Sequence, residues 1–518
     1  MTKFIFVTGG VISSLGKGVT SASVALLLKS MGYRVSIKKL DPYLNTDCGM
    51  MSPYQHGEVF ITGDGGEVDM DFGHYERFTG NKSSKQDSIT SGKVYKELFK
   101  NEAEGLYLGK TIQVVPHVTQ IIKERVEAHT ENLDILICEI GGTVGDIEAL
   151  PYIEAARQIG YEKGVENVAY IHLTLLPFVK SAGEFKKKPT QHSVKELRSL
   201  GIQPTVLICR SESEVERDVL KKIAMSTSIL EESVVLAPDL DSIYKIPMEY
   251  SRSNVVSQIL KHLKLNSEER LPDLSRLEEF LFKMQNYKHT ITIGLVGKYS
   301  ALKDSYRSVL EAIVHAATHL SCKVYIKWLD LSEGCSFDNI DGFIIPGGFG
   351  NRGIQEKMMA IKFCRENNIT CFCICLGMQL MVLEVANNVL GIDAVSSEFS
   401  DSGTFVVAPV DDENPLPKMK IGEHECIINP NSIAGSAYNK KTVMERHRHR
   451  YEINLEYEGL FSEIFLISGR APCSNIEIIE LRGHKWFLGT QFHPEFNSSF
   501  LSPHPLFSSF IKNILDKN

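Results

Sequence analysis

Phe4-Ile5-Phe6-Val7-Thr8 leads into Gly9-Gly10-Val11-Ile12-Ser13-Ser14-Leu15-Gly16-Lys17-Gly18, and Val19–Met31 follows with a helical pattern. Strand, glycine-rich turn and helix in that order are the opening unit of a phosphate-binding α/β fold. Glycines let the backbone curl until its N–H groups converge on phosphate oxygens, and the helix N-terminus stands behind them. Lys17 adds a mobile cation for the outer phosphates. The spacing departs from the common P-loop: five residues separate Gly10 and Gly16, and Gly18 replaces the usual Ser or Thr. Without that hydroxyl, Mg²⁺ needs carboxylates from elsewhere. Asp71, within Val68-Asp69-Met70-Asp71-Phe72, and Glu139, near the end of an apolar run, are the candidates. A glycine loop by itself is also compatible with a tight turn without a ligand, and a lone carboxylate with a solvated or capping group.

Outward from this unit the alternation continues. Val35–Leu40, Leu133–Ile140, Val168–Leu175 and Pro204–Cys209 read as buried strands, with helical patterns such as Val194–Leu200 after several of them. This implies βαβ units around a parallel sheet covered on both faces. The pattern loosens over Leu265–His289, a charged stretch with one short amphipathic piece, Leu274–Met284. A new cycle opens with Thr290–Gly297 and continues through Lys323–Leu329, Asp341–Pro346 and Thr370–Cys375. The expectation is an α/β chain of two doubly wound domains, residues 1–265 and 290–518, with a linker over 266–289.

In the second domain, Ile374-Cys375-Leu376-Gly377-Met378-Gln379 follows an apolar strand and opens a helix. A nucleophile at such a turn stands above the sheet, and the helix N-terminus favours its thiolate. Far downstream, Gln491-Phe492-His493-Pro494-Glu495 supplies an imidazole and a carboxylate. In a Cys–His–Glu set the base takes the thiol proton and the acid orients the base. Pro346-Gly347-Gly348-Phe349-Gly350 ends another strand, and its small residues suit backbone N–H groups aimed at an oxyanion. Cys371, Cys373 and Cys375 alternate, which also raises metal binding. Alternate residues of a strand stand roughly 6.6 Å apart, wide for one ion, so Cys371 and Cys373 read as buried structural thiols.

The 518 residues are 43% hydrophobic and 23% charged, ample for more than one core. A net charge of −8 argues against bulk binding to nucleic acid or an anionic membrane, while allowing local basic pockets. No apolar run approaches the roughly 18 residues of a membrane span. The apolar start is too short for a signal core, and eleven scattered cysteines suit reduced thiols, so a cytoplasmic protein is expected.

FVTGGVISSLGKG, KLDPYLN, MSPYQHGEVF, GHYERF, EIGGTVGDIE, KPTQHSVKELRSLGIQP, DSIYKIP, PGGFG, CLGMQ, ERHRHRYE and QFHPEF follow one another over nearly the whole chain. Together they resemble the CTP synthase family, an amidoligase domain joined to a class I glutamine amidotransferase. The resemblance implies that Cys375 cuts ammonia from glutamine, with His493 as base and acid and Glu495 as its partner. Gly348, Leu376, Gly377, Met378, Gln379, Glu398 and Arg448 would hold glutamine, Gly348 also serving as oxyanion donor. ATP would phosphorylate the uracil 4-oxygen, its phosphates held by Ser14, Leu15, Gly16, Lys17, Gly18 and Lys39, with Mg²⁺ on Asp71 and Glu139. UTP, or CTP as feedback inhibitor, would contact Ser13, Asp146, Ile147, Glu148, Lys186, Lys187, Lys188, Pro189, Thr190, Gln191 and Lys222. GTP as activator, a homotetramer and an ammonia passage along Ser52–Val59 are further implications. Without the family, Lys186–Lys188 reads as a solvated basic loop and Arg446-His447-Arg448-His449-Arg450 as an exposed charge run.

The chain departs from the family at three places. Cys373 stands where a glycine usually packs beneath the nucleophile, Arg307 replaces a usual lysine, and the loop over 401–422 is short and lacks a glycine pair. The short loop predicts weak or altered GTP activation. Other readings are a related glutamine-fed amidoligase acting on a corrinoid side chain, or a P-loop switch or filament scaffold with an inactive amidotransferase half. KLDPY and KPTQHSVKELRSLGIQP favour the pyrimidine nucleotide, and retention of Cys375, His493 and Glu495 favours an active enzyme.

Overall fold

The computed structural model describes residues 1–265, 271–297, 303–329, 336–351, 353–410 and 418–516. The chain divides into two compact units, Met1–Met50 with Asp71–Glu278, and Met51–Met70 with Glu279–Asn518. Met51–Met70 therefore leaves the first half of the sequence to pack within the second unit. The stretch expected as a linker contains a helix, Ser275–Gln285. No helix among the described residues is long and apolar enough to cross a membrane.

Among the described residues seven parallel strands form the first unit's sheet, in the order Val234–Pro238, Val206–Ser211, Val168–Leu175, Lys3–Gly9, Ile135–Ile140, Val35–Asp41, Ser88–Thr90. Ile135–Ile140 is buried at every position, as a strand covered on both faces must be. From the central Lys3–Gly9 strand the chain first builds one side of the sheet and then, after Ile135–Ile140, crosses to the other. Loops at such a reversal leave a crevice beyond the strand ends. Here the crevice falls at the glycine loop. The helix Lys17–Ser30 begins just after Gly16, whose φ of 87° lies in the left-handed region where a β-carbon is costly.

Among the described residues the second unit's sheet has nine strands in the order Cys322–Trp328, His289–Leu295, Gly342–Ile345, Thr370–Ile374, Phe487–Thr490, Ile476–Leu481, Phe465–Arg470, Lys420–Ile428, Thr442–His449. The first five run parallel and the rest antiparallel. Two buried layers cover its faces. Phe372 and Ile374 join one, with Phe507 and Phe510; Cys371 and Cys373 join the other, with Phe343 and Phe487. Strand periodicity keeps Cys371 and Cys373 on one face, and the turn at Cys375, just past the strand's end, takes the third thiol into the other layer. Opposite Cys373 on the neighbouring strand is Gly489, where a β-carbon would come within 2.9 Å of Met378 Cγ.

Candidate functional site

The glycine loop leaves Ser13 and Ser14 exposed and buries Leu15. Lys17 folds back over Gly9, where a β-carbon would come within 3.0 Å of the lysine Cδ. Its ammonium donates to the Gly142 carbonyl at 2.7 Å. Gly18 has a specific reason to lack a side chain: a β-carbon there would lie 2.1 Å from Oδ1 of Asp71. The carboxylate occupies the space that the hydroxyl-bearing residue of the common P-loop would fill. A carboxylate there replaces the hydroxyl with a hard oxygen donor of the kind Mg²⁺ takes.

Strand register sets Lys39 beside Glu139, so both side chains leave the same face. Lys39 Nζ stands 2.5 Å from Asp71 Oδ2 and 3.2 Å from Glu139 Oε1. Asp41, also buried, lies 3.7 Å from the same ammonium. Burial alone would push Asp71 up, but Lys39, His74 and Lys17 outweigh it and hold the carboxyl at about 2. Glu139 moves the other way, raised by burial and by Asp71 against the pull of Lys39, and it accepts from the Tyr75 hydroxyl. Lys17 is lowered by burial, resisted by Glu139 and reinforced by Lys39. An ammonium bridging two hard carboxylates marks a place where positive charge is wanted. Among the described residues no three His, Cys, Asp or Glu side chains converge as a metal cage. Mg²⁺ seldom needs one, since water and phosphate complete its shell.

A cavity of about 130 Å³ opens beside the loop, lined by Gly16, Thr20, Arg210, Pro238, Leu240 and Tyr250. Arg210 also donates to the Leu15 carbonyl at 3.0 Å. Apart from Gly16, nothing in the local sequence distinguished these residues. Behind the loop, His172 bridges Thr8 Oγ1 at 2.8 Å and Ser193 Oγ at 2.7 Å. Burial, with a smaller contribution from Lys17, lowers its pKa to about 3, so the ring is neutral.

The expected pyrimidine-nucleotide residues are only partly gathered. Val144 N–H donates to the Gly9 carbonyl at 2.8 Å, which ties the Asp146-Ile147-Glu148 turn to the glycine loop. Ile147 and Glu148 are exposed, and Asp146 accepts from the Thr143 N–H. Pro189, Thr190 and Gln191 lie in the first turn of the helix Lys188–Ser199. Gln191 reaches Ser226 on the helix Arg217–Thr227 that carries Lys222. The ammonium groups do not cluster: Lys186 pairs with Glu184, two residues before it, and Lys222 with Asp218 on the same helix. Lys187 immediately precedes the helix, and Lys188 is exposed.

In the second unit, Cys375 takes φ 52° and ψ −107° between the Thr370–Ile374 strand and the Leu376–Asn388 helix. A residue with a β-carbon held in that region stores strain, as nucleophile turns do. Its N–H donates to the Thr490 carbonyl at 2.7 Å, pinning the turn to the neighbouring strand. Gly377 permits a close approach, since a β-carbon there would lie 2.2 Å from the Ile345 carbonyl oxygen. Leu376 and Met378 are core residues, so Leu376–Met378 could meet a ligand only through backbone N–H groups. Gln379 is engaged with the Tyr451 carbonyl at 2.7 Å and Gln491 Oε1 at 3.3 Å.

His493 Nδ1 lies 2.8 Å from Glu495 Oε1, and the imidazole and Cys375 both border Gly347. Gly347 keeps the gap open: a β-carbon there would stand 2.8 Å from His493 Cε1 and 3.3 Å from Cys375 Cβ. Burial pulls the imidazole pKa down, but Glu495 and Cys375 outweigh it and raise it to about 10. Glu398 accepts from the Gly350 N–H at 2.9 Å, so it braces the loop that contains Gly348.

The Arg446–Arg450 run is not an exposed charge run. Arg446, His447 and His449 are each at most 2% exposed. On the Thr442–His449 strand, period two sends the arginines one way and the histidines the other. His447 Nδ1 meets His449 Nε2 at 3.0 Å inside. Arg446 donates to the Ile61 carbonyl at 2.8 Å and lies over Phe60, and Arg448 pairs with Glu67. Both arginines therefore grip Met51–Met70.

A family model described as the CTP synthase N-terminus matches residues 3–265, and one described as glutamine amidotransferase class-I matches residues 301–513. Over 529 residues the chain is 47% identical to the CTP synthase of Aquifex aeolicus, covering 100% of this chain and 99% of that protein. It is 49% identical over 523 residues to the CTP synthase of Hydrogenobaculum sp., covering 99% and 97%. With that of Methanococcus aeolicus it shares 46% over 537 residues, covering 99% of each. The solved glutaminase domain of Trypanosoma brucei CTPS with bound acivicin is 36% identical, with a TM-score of 0.41, and covers 44% of this chain and 95% of that one.

Proposed function

This chain belongs to the CTP synthase family, and on that premise we propose how its residues divide the work. It is a glutamine-hydrolysing ligase that aminates UTP to CTP, spending ATP and using ammonia released from glutamine.

The convergence of Cys375, His493 and Glu495 carries the reading of the second unit. The Cys375 sulfur attacks the side-chain carbonyl of glutamine. As the C–N bond breaks, the His493 imidazolium gives its proton to the leaving nitrogen; ammonia departs and a thioester remains. Neutral His493 then takes a proton from water as the water oxygen attacks the thioester, and glutamate leaves with the sulfur restored. Glu495 keeps the imidazole oriented and its charge compensated. The N–H groups of Leu376 and Gly348 receive the oxyanion. Gln379, Glu398 and Arg448 hold the amino acid, the guanidinium facing its carboxylate.

In the first unit, the ATP phosphates lie against Ser14–Gly18 and the base against the cavity beside Arg210. Lys17 and Lys39 neutralise charge on the transferring phosphoryl group. Asp71 and Glu139 would hold Mg²⁺, which when bound supplies further neutralisation of the phosphates. The γ-phosphoryl passes to the uracil 4-oxygen and ADP leaves. Ammonia then attacks C4, and that oxygen departs with inorganic phosphate. Ser13, the Asp146–Glu148 turn, the start of the Lys188–Ser199 helix and Lys222 receive UTP, or CTP as feedback inhibitor.

The same reading carries a cytoplasmic homotetramer with weakened GTP activation. Residues 411–417 of the shortened loop lie outside the described residues. Supplying UTP, ATP, Mg²⁺ and glutamine should yield CTP absorbance. Cys375→Ala should abolish this and retain CTP formation from free ammonia; loss of both would overturn the division of labour.

A further inference from the structure

Glu67 attracted no attention in the sequence, yet its carboxylate receives Arg448 twice. The arginine Nε lies 2.8 Å from Glu67 Oε1, and Nη2 lies 2.8 Å from the same atom. The pair is partly withdrawn from water, with side-chain exposures of 16% and 20%. On its other side the guanidinium stacks over Phe349 at 5.1 Å, within the loop that contains Gly348. The Arg448 carbonyl also faces the Cys375 sulfur at 3.8 Å. One arginine thus touches a carboxylate, an aromatic of the oxyanion loop and, through its backbone, the nucleophile.

Glu67 is itself firmly placed. It pairs with Ile61 in the short Phe60–Ile61 and Glu67–Val68 hairpin, which Arg446 anchors from the same strand face as Arg448. Gly63 of that hairpin accepts from the Glu423 N–H at 2.8 Å. An isolated arginine samples many rotamers, and ordering one on ligand binding costs affinity. A carboxylate held on a rigid hairpin removes that cost beforehand.

Resting on the glutaminase reading above, we propose that Glu67 is a positioning residue for glutamine. It fixes the Arg448 guanidinium, against Phe349, in the orientation that receives the amino-acid carboxylate. Its effect falls on KM for glutamine more than on kcat, because it acts through Arg448 rather than on the reacting atoms.

The test uses the full-length protein and steady-state glutamine kinetics, with ammonia-dependent CTP formation of the same preparation as the internal reference. Glu67→Gln should raise KM for glutamine about ten-fold, with a smaller change in kcat. Glu67→Asp, which keeps the charge, should recover part of the loss. An unchanged KM in Glu67→Gln, or a fall in kcat alone, would overturn the proposal. Arg448→Ala separates the two levels. If it leaves KM unchanged, the glutamine-site reading fails; if it raises KM while Glu67→Gln does not, only the role of Glu67 fails.

Discussion

The Nδ1 atom of His493 stands 2.8 Å from Oε1 of Glu495, two residues further along the chain, and the carboxylate is buried. Glu495 thereby fixes both the orientation and the charge of the imidazole. Glu495→Gln keeps the shape and removes the charge that raises His493. Glutamine hydrolysis should fall about a hundred-fold, the lower range for losing a positioned proton carrier. The measurement is glutamate release; a rate near wild type would remove Glu495 from the mechanism.

Two histidines give opposite pH dependences of stability. His493 is raised from 6.5 to about 10 in the folded chain, with Glu495 and Cys375 overcoming burial. Its contribution is full below pH 6.5 and is lost as pH rises toward 10. His172 is lowered from 6.5 to about 3, chiefly by burial, so its contribution is full above pH 6.5 and is lost as pH falls toward 3. Urea midpoints between pH 4 and 10 should show His493→Ala flattening the alkaline limb and His172→Gln the acid limb. Unchanged limbs would contradict these assignments.

Gly18→Ala sets two effects against each other. Alanine in a helix is favoured over glycine by about 1 kcal/mol. The added carbon would lie 2.1 Å from Asp71 Oδ1, and overpacking of that kind costs about 1–3 kcal/mol. The clash should win and displace Asp71. A Mg²⁺ titration of CTP formation from free ammonia should then shift to higher concentration, whereas an unshifted curve would exclude Asp71 as a ligand.

GTP should stimulate this protein weakly. The 401–422 loop is short, and Arg307 engages Glu311 at 3.3 Å one turn along its helix. Initial rates with glutamine and with ammonia, each with and without GTP, decide the matter. Strong stimulation confined to the glutamine reaction would sink the prediction.

The legible part of this protein consisted of chemistry written into contiguous residues. The glycine loop, the Cys375 turn and the Gln491–Glu495 segment each carry their own geometry. A glycine's φ, a strand-to-helix turn and a two-residue spacing are local properties. Gly18 was legible as a departure from the common loop, but its cause, Asp71 in the vacated space, required a contact across 53 residues of sequence. Without the family, charge composition leaves the Arg446–Arg450 run in solvent, because composition does not reveal which strand face is covered.

By itself, then, the sequence determined the alternation of strands and helices, the strand-to-helix turn at Cys375 and the glycine loop before Lys17, since each depends on neighbours along the chain. Tertiary structure alone decided that Met51–Met70 packs with the second unit, that Lys39 bridges Asp71 and Glu139, and that Glu67 holds Arg448. Those relationships arise from strand register and from packing between distant segments. No local pattern encodes them, because the energy that selects them exists only once the partners have met.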